Sequence, residues 1–302
     1  MMGNNNDNQP PVSSSWHGTV VSSGHHWDDP VRTLTSSKKA RPEYTDVDAH
    51  EYNDQESVLN EKVALLAEWV RRSQYCVAYT GAGLSVSSGL DDYASDRTSS
   101  SGAQRQPQQR GDGPAAHPNA GHKALAKLHM AGHLKAVVNQ NHDGLLQKAG
   151  YPQAHVNEIH GSWFDPSNPG GNILREDLFE DLQYHERHVD LCLALGSSLS
   201  GLNADRLAKA ASKRSLCTKG RGGLVVCNLQ RTPLDPRCQL RIFAPLDKVL
   251  TMLTTNLLVG SSSQAQVEVP PPPQPSAGIM YIGCPTITLR DNETKPKLVC
   301  WI

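Results

Sequence analysis

Apolar residues recur three and four positions apart at Val58, Leu59, Val63, Leu65, Leu66, Trp69 and Val70, which predicts a helix ending near Arg72. The period then changes. Tyr75–Tyr79, Leu134–Val138, Val189–Leu195 and Leu224–Cys227 are short apolar runs, each closed by Thr, Gly, Ser or Asn. Runs of this length bounded by turn formers mark strands buried on both faces. Between them Asn119 can cap a helix reaching Met130, and a short helix is expected around Glu176–His188. Ala204–Lys213 and Pro245–Leu257 read as further helices. Strand–helix alternation of this kind predicts an α/β fold, a doubly wound parallel sheet, over residues 57–258.

The flanks break the pattern. Residues 1–56 are rich in Asn, Ser, His and Asp without a sustained apolar period, and read as a disordered or loosely attached arm. Thr19–Val21 and Val31–Leu34 are its strand-like pieces. Residues 259–302 read as a Pro-rich linker and tail, with Pro270–Pro273 and Pro275 in polyproline II as a spacer or, less simply, an SH3 or WW ligand. The hydrophobic share of 37% over the 302 residues agrees with a chain that folds only in part.

Charge and cysteine exclude several classes. Lys and Arg total 29 against 30 Asp and Glu, so no global field draws the chain to nucleic acid or acidic lipid. No run approaches the roughly 18 apolar residues of a membrane span, and the N-terminus lacks the pattern of a secretory signal. An intracellular protein is expected, with nucleus and cytoplasm both open. The basic stretch Ser36–Arg41 reads either as a weak nuclear address or as a solvated run. The seven cysteines contain no CxxC pair, which fits neither a disulfide framework nor a structural zinc site. Cys76, Cys192 and Cys227 lie in strand-like runs as small hydrophobes.

Chemistry-bearing residues gather where the strands end. Gly81-Ala82-Gly83-Leu84-Ser85 follows the first strand, and its glycines let backbone N–H groups approach a pyrophosphate. A plain glycine turn fits equally. Asn139-Gln140-Asn141-His142-Asp143-Gly144 closes the second strand, either in a binding crevice or as an Asx turn capping a helix. Glu158-Ile159-His160-Gly161 offers an imidazole as general base, although most of the 13 histidines must be surface or core residues. Gly196-Ser197-Ser198-Leu199 adds donors at the same edge or simply closes its strand. Cys227-Asn228-Leu229-Gln230 is the fifth such block.

In this order the five blocks resemble the sirtuin family of NAD-dependent protein deacylases. The family's Gly- and Ser-rich block matches Gly81 to Tyr93, its Gln-Asn block Asn139 to Leu146, and its His-Gly pair His160-Gly161. Its Gly-Thr-Ser-Leu matches Gly196 to Leu199, and its Val-Asn-Leu-Gln matches Cys227 to Gln230. The resemblance implies a Rossmann-like domain with NAD at the carboxyl edge of the sheet and an acyl-lysine peptide or protein entering from the opposite side. In the family the acyl oxygen attacks C1′ of the nicotinamide ribose, nicotinamide departs, and free lysine and O-acyl-ADP-ribose result. His160 is then the base, with Asn141 and Asp143 lining the nicotinamide pocket and Asp92 and Tyr93 near the nicotinamide. Ala82 and Gly83, with Ser197, hold the phosphates and Asn228 the adenosine ribose; Gly81, Ser85, Gln140, Gly196, Ser198 and Leu229 complete the cofactor site. NAD-dependent ADP-ribosyl transfer, and cofactor binding without turnover, are the other readings.

Three departures stand out. The family's Arg after its Asp-Phe pair is Ala94 here, which removes a guanidinium from the phosphates; Arg97 or Arg105 can substitute from the following loop. The four-Cys zinc ribbon is missing: 35 residues separate His160 from Gly196, and the only cysteine among them is Cys192. No zinc is expected, and the small domain is reduced to the 95–118 loop and the Glu176–His188 helix. Finally, Asn139 and Leu146 replace a Thr and a His, and Leu146 makes its corner drier.

Overall fold

The computed structural model describes residues 16–20, 26–41, 44–90, 113–168, 175–201, 203–214 and 222–258. Its centre is a six-stranded parallel sheet. In chain order the elements are β1 (Val31–Leu34), β2 (Glu51–Asn53), α1 (Glu56–Arg72), β3 (Cys76–Thr80), α2 (Ala120–Met130), β4 (Ala136–Asn139), α3 (Leu145–Lys148) and β5 (Val156–Glu158). There follow α4 (Glu176–His188), β6 (Leu191–Leu195), α5 (Arg206–Arg214), β7 (Gly223–Cys227), β8 (Leu240–Ile242) and α6 (Leu246–Leu258).

The sheet order is β5-β4-β3-β6-β7-β8, with every neighbouring pair parallel. The chain therefore winds one way from β3 to β5, then returns to β3's other side for β6. That reversal makes the carboxyl ends of β3 and β6 the topological switch point, where open α/β sheets hold their ligands. The arrangement is the expected Rossmann-like doubly wound fold.

Alternation sorts the strand residues onto two cores. Cys76, Ala78, Leu193, Leu195 and Val225 face α1, α2 and α6, meeting Leu59, Val63, Leu66, Leu125 and Leu250. Val77, Tyr79, Cys192, Ala194 and Val226 face α4 and α5, meeting Leu182, Leu207, Ala208 and Ala211. Cys76, Cys192, Cys227 and Cys238 are free and buried, and burial pushes the Cys227 thiol up to about 12. Asn119 caps α2 as expected, its side chain accepting from the His122 amide.

The N-terminal segment corrects the expectation of a loose arm, as far as it is described. β1 and β2 form an antiparallel pair. The Tyr52 amide donates to the Leu229 carbonyl and that of Asp54 to Phe243, at 2.9 and 2.7 Å. Residues 17–20 run along β8: the Arg241 amide donates to the His17 carbonyl, and the Thr19 and Val20 amides donate to Cys238 and Gln239. Two further contacts fasten it. Trp16, Tyr52 and Phe243 cluster with ring centroids 4.9 to 5.7 Å apart. Lys62 and Asp54, both fully buried, pair at 2.7 Å. Backbone pairing and aromatic contact hold this segment, and neither leaves an apolar period to read. Val31–Leu34 is a strand as expected, whereas Thr19 and Val20 lie in a helical turn.

Candidate active site

Four loops meet at the switch point. β3 delivers Gly81–Ser85, β4 delivers Gln140–Asp143, β6 delivers Gly196–Leu199, and β7 delivers Asn228–Leu229. β5 delivers His160 beside the β4 loop: the rings of His142 and His160 lie 6.5 Å apart, and His142 Nδ1 is 3.0 Å from the Gly161 carbonyl.

The glycines serve loop-to-loop contact first. The Gly83 amide donates to the Gly196 carbonyl at 2.9 Å. A Cβ on Gly83 would stand 2.7 Å from the Gly196 Cα, and one on Gly196 2.7 Å from Gly83. Gly196 also holds φ +64°, where a side chain is strained. Leu199, three residues on, is the one described non-glycine residue at positive φ (51°). Such a conformation in a loop at the switch point is a sign of a constrained site.

Side-chain bonds join the loops into two chains. Asn228 Nδ2 donates to the Ser197 carbonyl at 3.2 Å, and Gln140 Nε2 donates to Ser197 Oγ at 3.0 Å. Asn141 Nδ2 donates to the Gly81 carbonyl at 3.0 Å and to Ser85 Oγ at 3.1 Å. Ser85 Oγ donates in turn to Asp143 Oδ2 at 2.6 Å, while Asp143 Oδ1 accepts from the Leu145 amide at 2.9 Å.

These bonds split the expected site residues into two layers. Ala82, Gly83, Gln140, Asn141, His160, Gly196, Ser198, Asn228 and Leu229 are partly exposed, whereas Gly81, Ser85, Asp143 and Ser197 are buried behind them. Ser85 and Asp143, each 2% exposed, have their oxygens engaged by protein. Asp92, Tyr93, Ala94, Arg97 and Arg105 lie outside the described residues.

The imidazole of His160 is held below its ordinary range, mainly by burial; neighbouring His142 and Arg41 act in the same direction, against a hydrogen bond to the Gln140 backbone and the charge of Asp205. A neutral imidazole is the form that accepts a proton. Arg41 carries no signal in the sequence beyond its place in the basic stretch Ser36–Arg41; it stacks on Tyr44 at 4.9 Å. His122 is a second residue the sequence did not single out. It lies under Ser85, its Nε2 3.4 Å from Ser85 Oγ and its Nδ1 2.6 Å from Asn119 Oδ1. Burial pushes it down to about 4, against the charges of Asp143 and Asp247. Its only sequence signal was its place three residues after a helix cap. Leu146 is buried in the apolar core, as the drier corner requires, and Asn139 Oδ1 accepts from Thr80 Oγ1 at 2.8 Å.

Comparison with known proteins adds to this geometry. The family model for the Sir2 family matches residues 104–168. An Arabidopsis thaliana protein named NAD-dependent protein deacetylase SRT1 is 28% identical over 249 residues, covering 68% of this chain and 51% of the relative. The chain thus spans about half the length of that relative. A Saccharolobus solfataricus NAD-dependent protein deacetylase is 27% identical over 246 residues, covering 64% of this chain and 96% of the relative. A solved structure described as "Structural Basis for the Mechanism and Regulation of Sir2 Enzymes" superposes with a TM-score of 0.54 at 24% identity, over 66% of this chain and 98% of that one. Among the described residues, no helix is long and apolar enough to cross a membrane.

Proposed function

We infer, for a chain that belongs to the Sir2 family, NAD-dependent removal of acyl groups from protein lysines, yielding nicotinamide, free lysine and O-acyl-ADP-ribose. The observation that carries this reading is the convergence of His160, Gln140, Asn141, Ser197 and Asn228 from separate strand ends on one switch point. The donor set fits the cofactor. Its amides and hydroxyls are neutral hydrogen-bonding groups suited to ribose and phosphate oxygens, and they stand at the crevice expected for a dinucleotide.

The Ala82–Gly83 backbone and Ser197 would hold the phosphates, with Gln140 and Ser198 beside them, Asn228 the adenosine ribose with Leu229 next to it, and Asn141 the nicotinamide side. Asp92 and Tyr93 would join them near the nicotinamide. NAD supplies, when bound, a sugar carbon that can exchange nicotinamide for an acyl oxygen. Asp143, fixed by Ser85 and the Leu145 amide, would supply a carboxylate on the nicotinamide side, where it would favour positive charge on the sugar. His160, whose imidazole burial holds below its ordinary range, would accept a proton from a ribose hydroxyl. The acyl-lysine peptide or protein is the partner; nucleic acid and membrane take no part in this reading. It needs no zinc, and places the chain inside the cell. In this reading the chain divides into an N-terminal segment, residues 1–56, whose described part packs along β8 and the Leu229–Phe243 flank, a catalytic domain, residues 57–258, and a tail, residues 259–302.

Incubation with NAD and an acetyl-lysine peptide tests the reading. Nicotinamide and O-acyl-ADP-ribose appearing together, dependent on the peptide, is the expected result. NAD binding with no turnover would favour a binding protein, the reading that Ala94 and the missing cysteine ribbon support. Nicotinamide released without peptide would favour ADP-ribosyl transfer.

A further inference from the structure

Arg241 stands in the middle of β8, its side chain fully buried beneath the loop that carries Asn228. All three guanidinium nitrogens are used. Nε donates to Asp235 Oδ1 at 2.9 Å. Nη1 donates to the carbonyls of Ile242 at 2.6 Å, Asn228 at 2.9 Å and Val226 at 3.3 Å. Nη2 donates to the Gln230 carbonyl. From the outer side the Tyr52 amide donates to the Leu229 carbonyl at 2.9 Å. Three consecutive carbonyls, at Asn228, Leu229 and Gln230, are thereby fixed, and the Asn228 amide is tied to Ile242 at 3.2 Å.

Burying a guanidinium is a poor way to gain stability. A well-packed apolar residue commonly does as well, while a buried cation must have its donors satisfied. What arginine alone supplies is a planar fork that reaches a carboxylate and two carbonyls two residues apart at once. Lysine, with one point charge on a flexible stem, cannot hold all three.

We propose that Arg241 is a positioning residue for the dinucleotide: by fixing the Asn228–Gln230 backbone it presents Asn228 and Leu229 to the adenosine ribose. The inference rests on the NAD-binding reading of the crevice. It assigns Arg241 to the adenosine half of the ligand and leaves the peptide side untouched.

The test measures ADP-ribose and acyl-lysine peptide affinity by calorimetry, with thermal midpoints, on the full chain. The variants are Arg241→Lys, Asn228→Ala and the double variant. Arg241→Lys is expected to weaken ADP-ribose about tenfold, the loss of one charge-assisted hydrogen bond, with peptide affinity within twofold of wild type. The double variant is expected to lose less than the sum of the two singles, because Arg241 acts in part through Asn228. Additive losses would overturn the proposal. Lys62→Met is the control for stability: it breaks the buried Asp54–Lys62 pair on the same flank without touching the three carbonyls. An equal loss of ADP-ribose affinity in Lys62→Met at matched thermal midpoint would also overturn it. Should Arg241→Lys fail to fold, Asp235→Asn loosens the same anchor, and a smaller loss confined to ADP-ribose is expected; unchanged affinity there would overturn the proposal. A wild-type chain that binds neither NAD nor ADP-ribose overturns the functional reading itself, whereas tight wild-type binding with an unaffected Arg241→Lys removes only the role of Arg241.

Discussion

Ser85 Oγ donates to Asp143 Oδ2 at 2.6 Å, and the same oxygen accepts from Asn141 Nδ2 at 3.1 Å. One hydroxyl therefore sets both the carboxylate and the amide proposed for the nicotinamide side. Ser85→Ala is expected to slow nicotinamide release tenfold to a hundredfold, from about 1.5–3 kcal/mol for a bond to a charged group. Single-turnover kinetics with a thermal melt checks it. A rate within twofold of wild type would mean that Asp143 keeps its position without Ser85.

The proton acceptance proposed for His160 predicts a loss of roughly 10²–10⁴ in product formation for His160→Ala. Because burial holds this imidazole below 6.5, the acidic limb of kcat/KM should fall below that pH. Arg41 contributes to the depression, so Arg41→Ala should move the limb to higher pH. A pH–rate profile of both proteins decides this, and coincident limbs would remove Arg41 from the electrostatics of the site.

Glu158, at the end of β5, is pushed up to about 7, chiefly by burial. Its folded value exceeds the 4.5 of a free carboxyl, so the folded state binds the proton more tightly. The stabilising contribution of that proton is complete below about 4.5 and is lost as pH rises to about 7. Glu158→Gln should therefore gain stability over wild type progressively across that window. Urea midpoints at several pH values test it, and a constant difference would count against a titrating Glu158.

Gly196→Ala forces a side chain into φ +64° and against Gly83 at 2.7 Å. The left-handed conformation alone costs roughly 1–2 kcal/mol, and the contact adds to it by parting the β3 and β6 loops. Both the thermal midpoint and ADP-ribose affinity should fall. A stable variant with normal affinity would show that the two loops need not touch.

The parts of this molecule written in local pattern could be read before any coordinates. α1 ends at Arg72 and α4 spans Glu176–His188 as expected, because amphipathic spacing is a property of neighbouring residues. Strands β3, β6 and β7 announced themselves as unbroken apolar runs. β5 and β8 did not: each has three residues with a polar one, Asn157 or Arg241, in the middle. Arg241 looks like a surface residue until Asp235 and the loop carbonyls are brought to it by the fold. The blocks around Gly81, Asn139, His160, Gly196 and Asn228 were visible because strand ends collect turn residues. Their division into exposed and buried layers was not, since it depends on Ser85 meeting Asp143 across 58 positions.

β8 is the last strand of the sheet, and residues 17–20 lie along its outer side. A raw border of unpaired amides and carbonyls invites pairing with other chains. Trimming the protein back to the start of α1, where the apolar rhythm begins, would uncover that border together with the Trp16–Tyr52–Phe243 contact. The stub left behind would be prone to self-association, so the polar-looking leader serves as the selvedge that keeps the weave from fraying.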